Sequence, residues 1–417
     1  MFHPEIHVET RHTFGELIPF RSAIDALNRA SRRPGAASTF DFLQAMAEHD
    51  EQAAEPLYLL VLRGRALVGL LLLRVTRTGV PGFRVRRIGL LACHDADSPQ
   101  IIARPEDARS CVEACFAHLA RQERWSSLEI VMQDAGSPFW PPPLPAARFL
   151  CRRYPNLPTV AIPLGGRTLP EYFATLGADF RRLVKRTARR MYRAGRLEAI
   201  NCDDPRAGGE LLELYLELER RSWKFAANAG ITRHPERVAF FRRLCAPGQA
   251  TRISATFVLL DGVPVGALLS GVFEGHHLAF ETSYDSAYAH LAPGHFTWLM
   301  GIRFGIAQGL QAYNVQGAYS YYKERWKGVV TPTWAVQAFR IPSLPWLKAL
   351  LGELRDRLPR RAAPLPGHNE LRRQVEATPP LPTQPPADRS AAASTASDVF
   401  RQLEARGIVM ELSLIHI

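Results

Sequence analysis

"LRGRALVGLLLL" at Leu62–Leu73 and "LLDGVPVGALLS" at Leu259–Ser270 are two versions of one text. Each has an apolar run, a polar turn around a glycine, then Val-Gly (Val68-Gly69, Val265-Gly266) and a second apolar run. Arg-Gly and Asp-Gly between apolar runs are hairpin signals. Reading outward, Leu57–Arg63 and Ala66–Val75 make the first hairpin. A third strand, Phe83–Leu91, follows a Gly/Pro turn at Thr78–Gly82. The second copy runs Ala255–Leu260, Val263–Phe273 and His277–Ser283, with its own turns at Asp261-Gly262 and Glu274-Gly275. In each copy the three strands lead into a helix, Pro105–Gln122 in the first and Gly294–Gln308 in the second. The pattern predicts two related α+β domains in tandem, joined near residue 160.

The second copy carries more elements. Leu169–Gly195 reads as helices, and Gly209–Ala227 as another, apolar at Leu211, Leu212, Tyr215 and Leu218 and carrying Trp223. Two late strands, Ala312–Gln316 and Trp334–Arg340, are expected to complete its sheet. Beyond Leu344 the pattern predicts a short helix at Pro345–Leu358. A disordered linker rich in Pro, Ala, Arg and Thr follows at Arg360–Ser397, then a helical turn at Phe400–Ala405. The closing "LSLIHI" resembles translated read-through and is set aside. The expected division is therefore 1–160, 161–343 and a helical, then disordered, extension at 344–417.

Charge is concentrated in "DFRRLVKRTARRMYRAGRL", Asp179–Leu197. Eight of the sixteen residues from Arg181 to Arg196 are basic. Phe180, Leu183, Val184, Thr187, Ala188 and Met191 fall on one helical stripe, so the helix can dock while its arginines stay open. The run has no acidic i+4 partner, which points to an anion: phosphate, carboxylate, nucleic acid or lipid head group. The net charge is +12, and removing the +8 of this run leaves only +4 for the rest. That argues for a local site and against a general nucleic-acid coat. Arg182, Lys185, Arg186 and Arg189 are the candidate anion-binding residues, placed in the cleft between the domains. Trp223 is expected at the junction, as part of the cleft wall.

The apolar fraction of 47% is ordinary for a globular chain. The N-terminus has no apolar signal region, and no run reaches the about 18 uncharged residues that span a bilayer. Six scattered cysteines suit reduced thiols, so a cytoplasmic protein without membrane insertion is expected. Cys111, Cys115 and His118 share a helix face but lack a fourth ligand, so they read as core, and no metal is expected. His276 and His277 read as turn-exposed. G-x-G-x-x-G, G-x-x-x-x-G-K-[ST] and G-x-S-x-G are absent, which removes the usual support for dinucleotide binding, P-loop chemistry and serine hydrolysis.

"FETSYDSAYAHLAPGHFTWLMGIRFGIAQGL", Phe280–Leu310, reads as strand, loop through Pro293-Gly294, and helix from His295. Free backbone N–H groups at such a helix start can face an anion. The longer stretch Tyr284–Trp326 resembles the GNAT N-acyltransferase superfamily, in the CelD-like and Fem-like branch whose GNAT domains occur in tandem. Tyr284, Asp285, Pro293, Gly294, Gly317, Tyr322, Lys323 and Trp326 carry the resemblance. The basic helix with "LEAI" after it and the "ERRSW" of Glu219–Trp223 fit the same branch. The likeness covers about residues 10–342. The second copy departs from the superfamily in lacking a Gln/Arg-x-x-Gly-x-Gly/Ala loop.

The resemblance implies two GNAT-like domains, each a mixed, mostly antiparallel twisted sheet flanked by helices. It implies transfer of an acyl group from acyl-CoA to an amine of a sugar, peptide or cell-envelope polysaccharide precursor. Such a reaction needs a base for the amine, a donor for the oxyanion and an acid for the leaving group. Glu281 and Asp285 are the candidate bases and Tyr322 the candidate acid. Tyr284, Pro293, Gly294, His295, Phe296 and Lys323 are expected around the donor, and Trp326 on the substrate side. Two alternatives stay open: a Fem-like enzyme using aminoacyl-tRNA, and a non-catalytic scaffold that binds an anionic polymer. The first copy has no Pro-Gly helix start and reads as a degenerate domain, with His94 and Asp95 reaching toward the cleft.

Overall fold

The repeated Val-Gly pairs mark where a helix presses on a strand. In the computed structural model, a Cβ on Gly69 would lie 2.7 Å from Cys111 Sγ, and one on Gly266 would lie 2.3 Å from Thr297 Oγ1. Both neighbours belong to the helix that follows the three strands, so glycine permits the same close crossing in each half. The structure describes residues 6–49, 54–78, 85–93, 96, 99–122, 124–246, 248–316, 321–357, 389–408 and 410–414.

The first half comprises β1 (Ile6–Arg11), α1 (Arg21–Ala30), α2 (Phe40–Glu48), β2 (Glu55–Arg63), β3 (Ala66–Thr78), β4 (Val85–Leu90), β5 (Ile102–Ala103), α3 (Pro105–Gln122), β6 (Ser127–Gln133) and β7 (Phe149–Pro163). The second comprises α4 (Leu169–Thr175), α5 (Ala178–Ala194), β8 (Leu197–Cys202), α6 (Gly208–Arg220), α7 (Trp223–Ala226), α8 (Pro235–Leu244), β9 (Arg252–Leu260), β10 (Val263–Phe273), β11 (His276–Tyr284), α9 (Pro293–Ala307), β12 (Ala312–Asn314), α10 (Tyr321–Arg325) and β13 (Val329–Arg340). After it come α11 (Leu344–Arg357), α12 (Arg389–Ala405) and β14 (Glu411–Leu414). The turns Asp261-Gly262 and Glu274-Gly275 have φ of 51° and 78°, and 47° and 74°. Paired positive angles are those of a type I′ hairpin turn, which suits the right-handed strand twist.

All described strands join one sheet in the order β1-β2-β3-β4-β6-β13-β7-β12-β11-β10-β9-β8-β14, with β5 on β3. Each half contains one short parallel pair, closed by a crossover helix. β4 pairs with β6 over Arg87–Gly89 and Ser127–Glu129, and β11 with β12 over His276–Leu278 and Ala312–Asn314. The order around the centre is palindromic, β4-β6-β13 against β11-β12-β7, as a pseudo-two-fold axis between β13 and β7 requires.

The structure departs from several expectations. The late strand Trp334–Arg340 lies within β13, which does not close the second half's own sheet. It sits between β6 and β7 and pairs with both, while β7 pairs with β12 of the second half. Residue 160 falls inside β7, so a strand joins the halves. The single helix expected at Gly209–Ala227 is two, α6 and α7. Residues 389–397, read from composition as linker, form the first half of α12. There Ala396, Phe400 and Leu403 are buried, with Phe400 5.8 Å from Phe257. The backbone of Glu411–Leu414, within and beside the stretch set aside as read-through, pairs with β8. Most of the expected linker lies outside the described residues.

Helices cover both faces. α3 closes the core of the first half on one face, and α5 and α9 do so for the second. On the opposite face α1 and α2 share one core with α6, α8 and α12, and Phe42 stacks 6.1 Å from Phe280 across the halves. No described helix is long and apolar enough to cross a membrane.

Candidate active site

Alternation along β11 places Leu278 and Phe280 in the α6/α8 core and Ala279 in the α9 core. Ser270 of β10 pairs with Ala279, but Leu269 pairs with Glu281, so Phe280 is an extra residue, a β-bulge. The bulge resets the parity. Glu281 and Ser283 turn toward α6–α8, where they meet Lys224, Arg237 and Tyr215. Tyr284 turns toward α9, where a Cβ on Gly294 would lie 3.5 Å from its ring.

β11 and β12 separate after three paired residues. The chain beyond β12 follows β7 instead, with Val315 N donating to Val160 O at 2.9 Å. Among the described residues no strand pairs with the β12-facing edge of β11 beyond Leu278. This wedge opens beside the start of α9. There Ala292 has φ 53°, Pro293 fills the first turn, and neither a side-chain cap nor an acidic residue occupies the end. A start of this kind leaves N–H groups and the positive end of the helix dipole for a ligand.

Around that start the aromatic residues form a wall. Phe180 of α5 lies 5.5 Å from the His295 ring and 4.8 Å from Trp326, and Tyr322 stacks on His295 at 5.2 Å. Tyr322 Oη donates to Gly294 O at 3.4 Å. Burial pushes the Tyr322 phenol well above its usual range, so it keeps its proton at neutral pH. Burial, helped by the Arg325 charge, lowers His295 to about 4, and its Nδ1 has no hydrogen-bond partner. Lys323 Nζ donates to Gln316 O.

On the α6–α8 side a charged cluster fills the space behind the bulge. Glu281 is buried and accepts from Lys224 and, at 2.9 Å, from Arg237. Burial alone would raise its pKa, but the two cations outweigh that and lower it. A carboxylate held so tightly is a weak proton acceptor. Asp285 caps the turn Ser286–Leu291 through Ala287 N at 2.9 Å and pairs with Arg221 Nε at 2.9 Å. Its geometry is that of a cap and ion-pair partner. Glu219 is fully buried, accepts from Thr232 N at 2.8 Å and lies 3.3 Å from Tyr215 Oη. Sequence reasoning missed Lys224 and Arg237, and met Arg221 only within the Glu219–Trp223 motif. The charged run from Glu219 to Lys224 on a helix otherwise buried was the available signal.

Other expectations fare differently. Trp326 is fully buried, as is Phe296, so neither side chain offers a surface to substrate. Trp223 begins α7, partly exposed. His277 is buried against Tyr313 at 3.9 Å, not turn-exposed, and burial lowers it to about 3. Cys111, Cys115 and His118 are buried, with His118 bonded to Thr10 at 2.9 Å, and no described group of residues could hold a metal ion. Arg182 pairs with Asp179, a partner three residues earlier, and Lys185 lies 5.8 Å from the Phe173 ring. Arg186, Arg189, Arg190 and Arg193 are exposed, with no ion pair or hydrogen bond among the described residues. The helix packs on the α9 face, so its arginines do not reach the cavity where the halves meet. That cavity, of about 290 Å³, lies on the opposite face. It is lined by β7, β11 and β12, by Thr331, and by residues 32–38 of the first half. Gly317, His94 and Asp95 lie outside the described residues.

Residues 178–324 match the acetyltransferase (GNAT) domain family. The second half therefore carries a GNAT domain. The matched span runs from α5 through the wedge to α10, so the superfamily's hallmarks fall on the second half. Among solved structures the chain is similar to FemX, at 10% identity and a TM-score of 0.55, over 82% of this chain and 99% of that one. It is similar to the C-terminal domain of a putative lysylphosphatidylglycerol synthetase from Agrobacterium fabrum, at 9% identity and a TM-score of 0.50, over 82% and 96%. A Bacteroides thetaiotaomicron protein of unknown function matches at 11% identity and a TM-score of 0.50, over 80% and 99%. At these identities the likeness is one of fold. No curated protein matches the chain.

Proposed function

We propose that the protein is an N-acyltransferase that moves an acyl group from acyl-CoA to an amine. One observation carries the reading: the bulged, open edge of β11 runs into the uncapped, acid-free start of α9. An acyl thioester lying along that edge meets backbone N–H groups, and its phosphates meet the helix start. The neutral amine attacks the thioester carbon, the C–N bond forms, and collapse breaks the C–S bond. Tyr322, protonated and at the wedge, hydrogen-bonds the departing thiolate, which takes up through water the proton that the amine gives up. The amine's proton leaves to water or to Glu281 once a bound substrate draws Lys224 or Arg237 away. The cavity of about 290 Å³ on the other face, with Thr159, Asn314, Thr331 and Arg33 in its lining, suits a sugar or peptide amine.

A second reading takes aminoacyl-tRNA as donor, and the partner-free arginines of α5 favour it. Thiol release from acetyl-CoA, measured over a panel of amino sugars and peptides, tests the first reading. Gly294→Val should raise the Kd for acetyl-CoA about tenfold by closing the backbone approach. Wild-type affinity in that variant would move the donor away from α9, and turnover with aminoacyl-tRNA alone would establish the second reading.

A further inference from the structure

The pseudo-two-fold axis gives the first half a counterpart of the junction cavity, with different chemistry. Both cavities lie over a parallel strand pair, on the face away from the crossover helix. The first-half cavity, of about 510 Å³, spans β3, β4, β6, β13 and Arg152 of β7, under Pro345, Lys348 and Ala349 of α11. The roofs are exchanged: residues 32–38 of the first half cover the second half's cavity, and α11, after the second half, covers the first's.

The cavity floor is one continuous rung across five strands, Arg74–Gly89–Glu129–Gln337–Arg152, set by the strand registers. Beside it runs Thr76–Arg87–Ser127–Phe339. Arg74, Arg87, Arg152 and Lys348 line the cavity with a single described carboxylate, Glu129. That carboxylate is engaged by Tyr154 and by Gln337 Nε2 at 2.7 Å. Arg152 is oriented by Gln337 Oε1 at 2.9 Å. Arg87 and Lys348 are exposed, with no hydrogen bond or ion pair among the described residues. Gly89, at the centre of the rung, leaves open space: a Cβ there would meet nothing nearer than Glu129 O at 3.9 Å. The middle of a sheet under a helix normally carries apolar side chains, so four cations gathered round a glycine gap form a receptor for negative charge.

We propose that this cavity binds a small phosphate-bearing anion, at a second site separate from acyl transfer. Guanidinium groups from two sides of the rung clamp the phosphate, Lys348 closes over it, and Gly89 provides the room. Acid residues at the α3 start, Glu106 and Asp107, keep phosphate off the helix end of this half, so the strand face is the site that remains.

Calorimetric titration of the full chain with inorganic phosphate and with glucose 6-phosphate at low ionic strength tests the proposal. Wild type should bind with an affinity that falls as salt rises. Arg87→Glu with Lys348→Glu should weaken binding at least tenfold. Gly89→Val, which fills the gap without altering charge, should do the same. Arg186→Glu with Arg189→Glu on α5, and Gly294→Val at α9, should leave it unchanged. Tighter binding of glucose 6-phosphate than of phosphate identifies a sugar phosphate, and equal binding identifies the bare anion; either supports the site. Wild-type affinity in both cavity variants, with melting curves showing them folded, overturns it. So does loss of binding only in the α5 or α9 variants. Thiol release from acetyl-CoA is read separately, so failure here leaves the acyltransferase reading standing.

Discussion

α3 and α9 hold the same place in the two halves, and their first turns are opposites. α3 begins with Glu106 and Asp107, and Asp107 pairs with Arg63 at 2.6 Å. α9 begins with Pro293-Gly294 and no acid. Carboxylates satisfy the helix dipole from within, so α3 is a finished structural helix, whereas α9 leaves its positive end for a ligand. On the proposed reading, the same architecture carries the donor site in one half and excludes it from the other. On the opposite face the bias reverses: the first half gathers cations over its parallel pair, and the second offers hydroxyls, an amide and Asp134-paired arginines. The two halves share a frame and differ in a few side chains.

The comparison breaks most sharply behind the β11 bulge. Glu281→Ala should strand the buried Arg237 and the half-buried Lys224 and cost about 3–5 kcal/mol of stability at pH 7 by urea unfolding. The pKa of Glu281 is lowered by folding, so its contribution is complete above the unfolded value near 4.5 and fades as pH falls below it. The difference between wild type and variant should therefore shrink at pH 3. A constant difference would show that lost packing, not charge, is responsible.

Two matched substitutions sharpen the comparison. Gly69→Ala and Gly266→Ala each push a methyl into the crossover helix, against Cys111 and Thr297, and each should cost about 1–3 kcal/mol. Similar losses would establish equal crossings in the two halves. A loss in one half alone would show that the shared Val-Gly text hides unequal packing.

A smaller effect belongs to the second half's His295. Its pKa falls from about 6.5 unfolded to about 4 folded, so the native state favours the neutral ring and stability declines as pH drops from 6.5 toward 4. His295→Phe should flatten the melting temperature over that window and leave it nearly unchanged at pH 8. An unaltered slope would assign the acid sensitivity to other groups. The smallest effect is expected on α5: Arg186→Glu with Arg189→Glu should shift stability within about 0.5 kcal/mol, because both side chains are exposed and without partners among the described residues. Any larger loss would reveal a structural duty for the basic face.

Much of this frame was legible before folding. The hairpins around Gly64, Gly262 and Gly275, the helix Pro105–Gln122 and the stripe of α5 depend on residues within a few positions of one another. Turn dihedrals and helical periodicity are local properties, so the text of a short window carries them. The site was less legible. Glu281 reads as a base in the sequence, but its partners Lys224 and Arg237 stand 57 and 44 residues away, and the pairing weakens it as a proton acceptor. Trp326 lay in a recognisable motif, yet its neighbour Phe180 comes from another helix, and together they form core.

What the sequence by itself determined, then, is the duplicated unit, its turns, its stripes and the glycines that admit the crossover helices, because each is written in short-range spacing. Tertiary structure decided the rest. The exchange of β7 and β13 follows from strands long enough to pair on both sides of the axis. The facing of Glu281 follows from one unpaired residue, Phe280, since a period of two keeps its meaning only until a bulge shifts it. α12 packs because its apolar residues find the open side of a distant sheet, and no window of composition contains that surface.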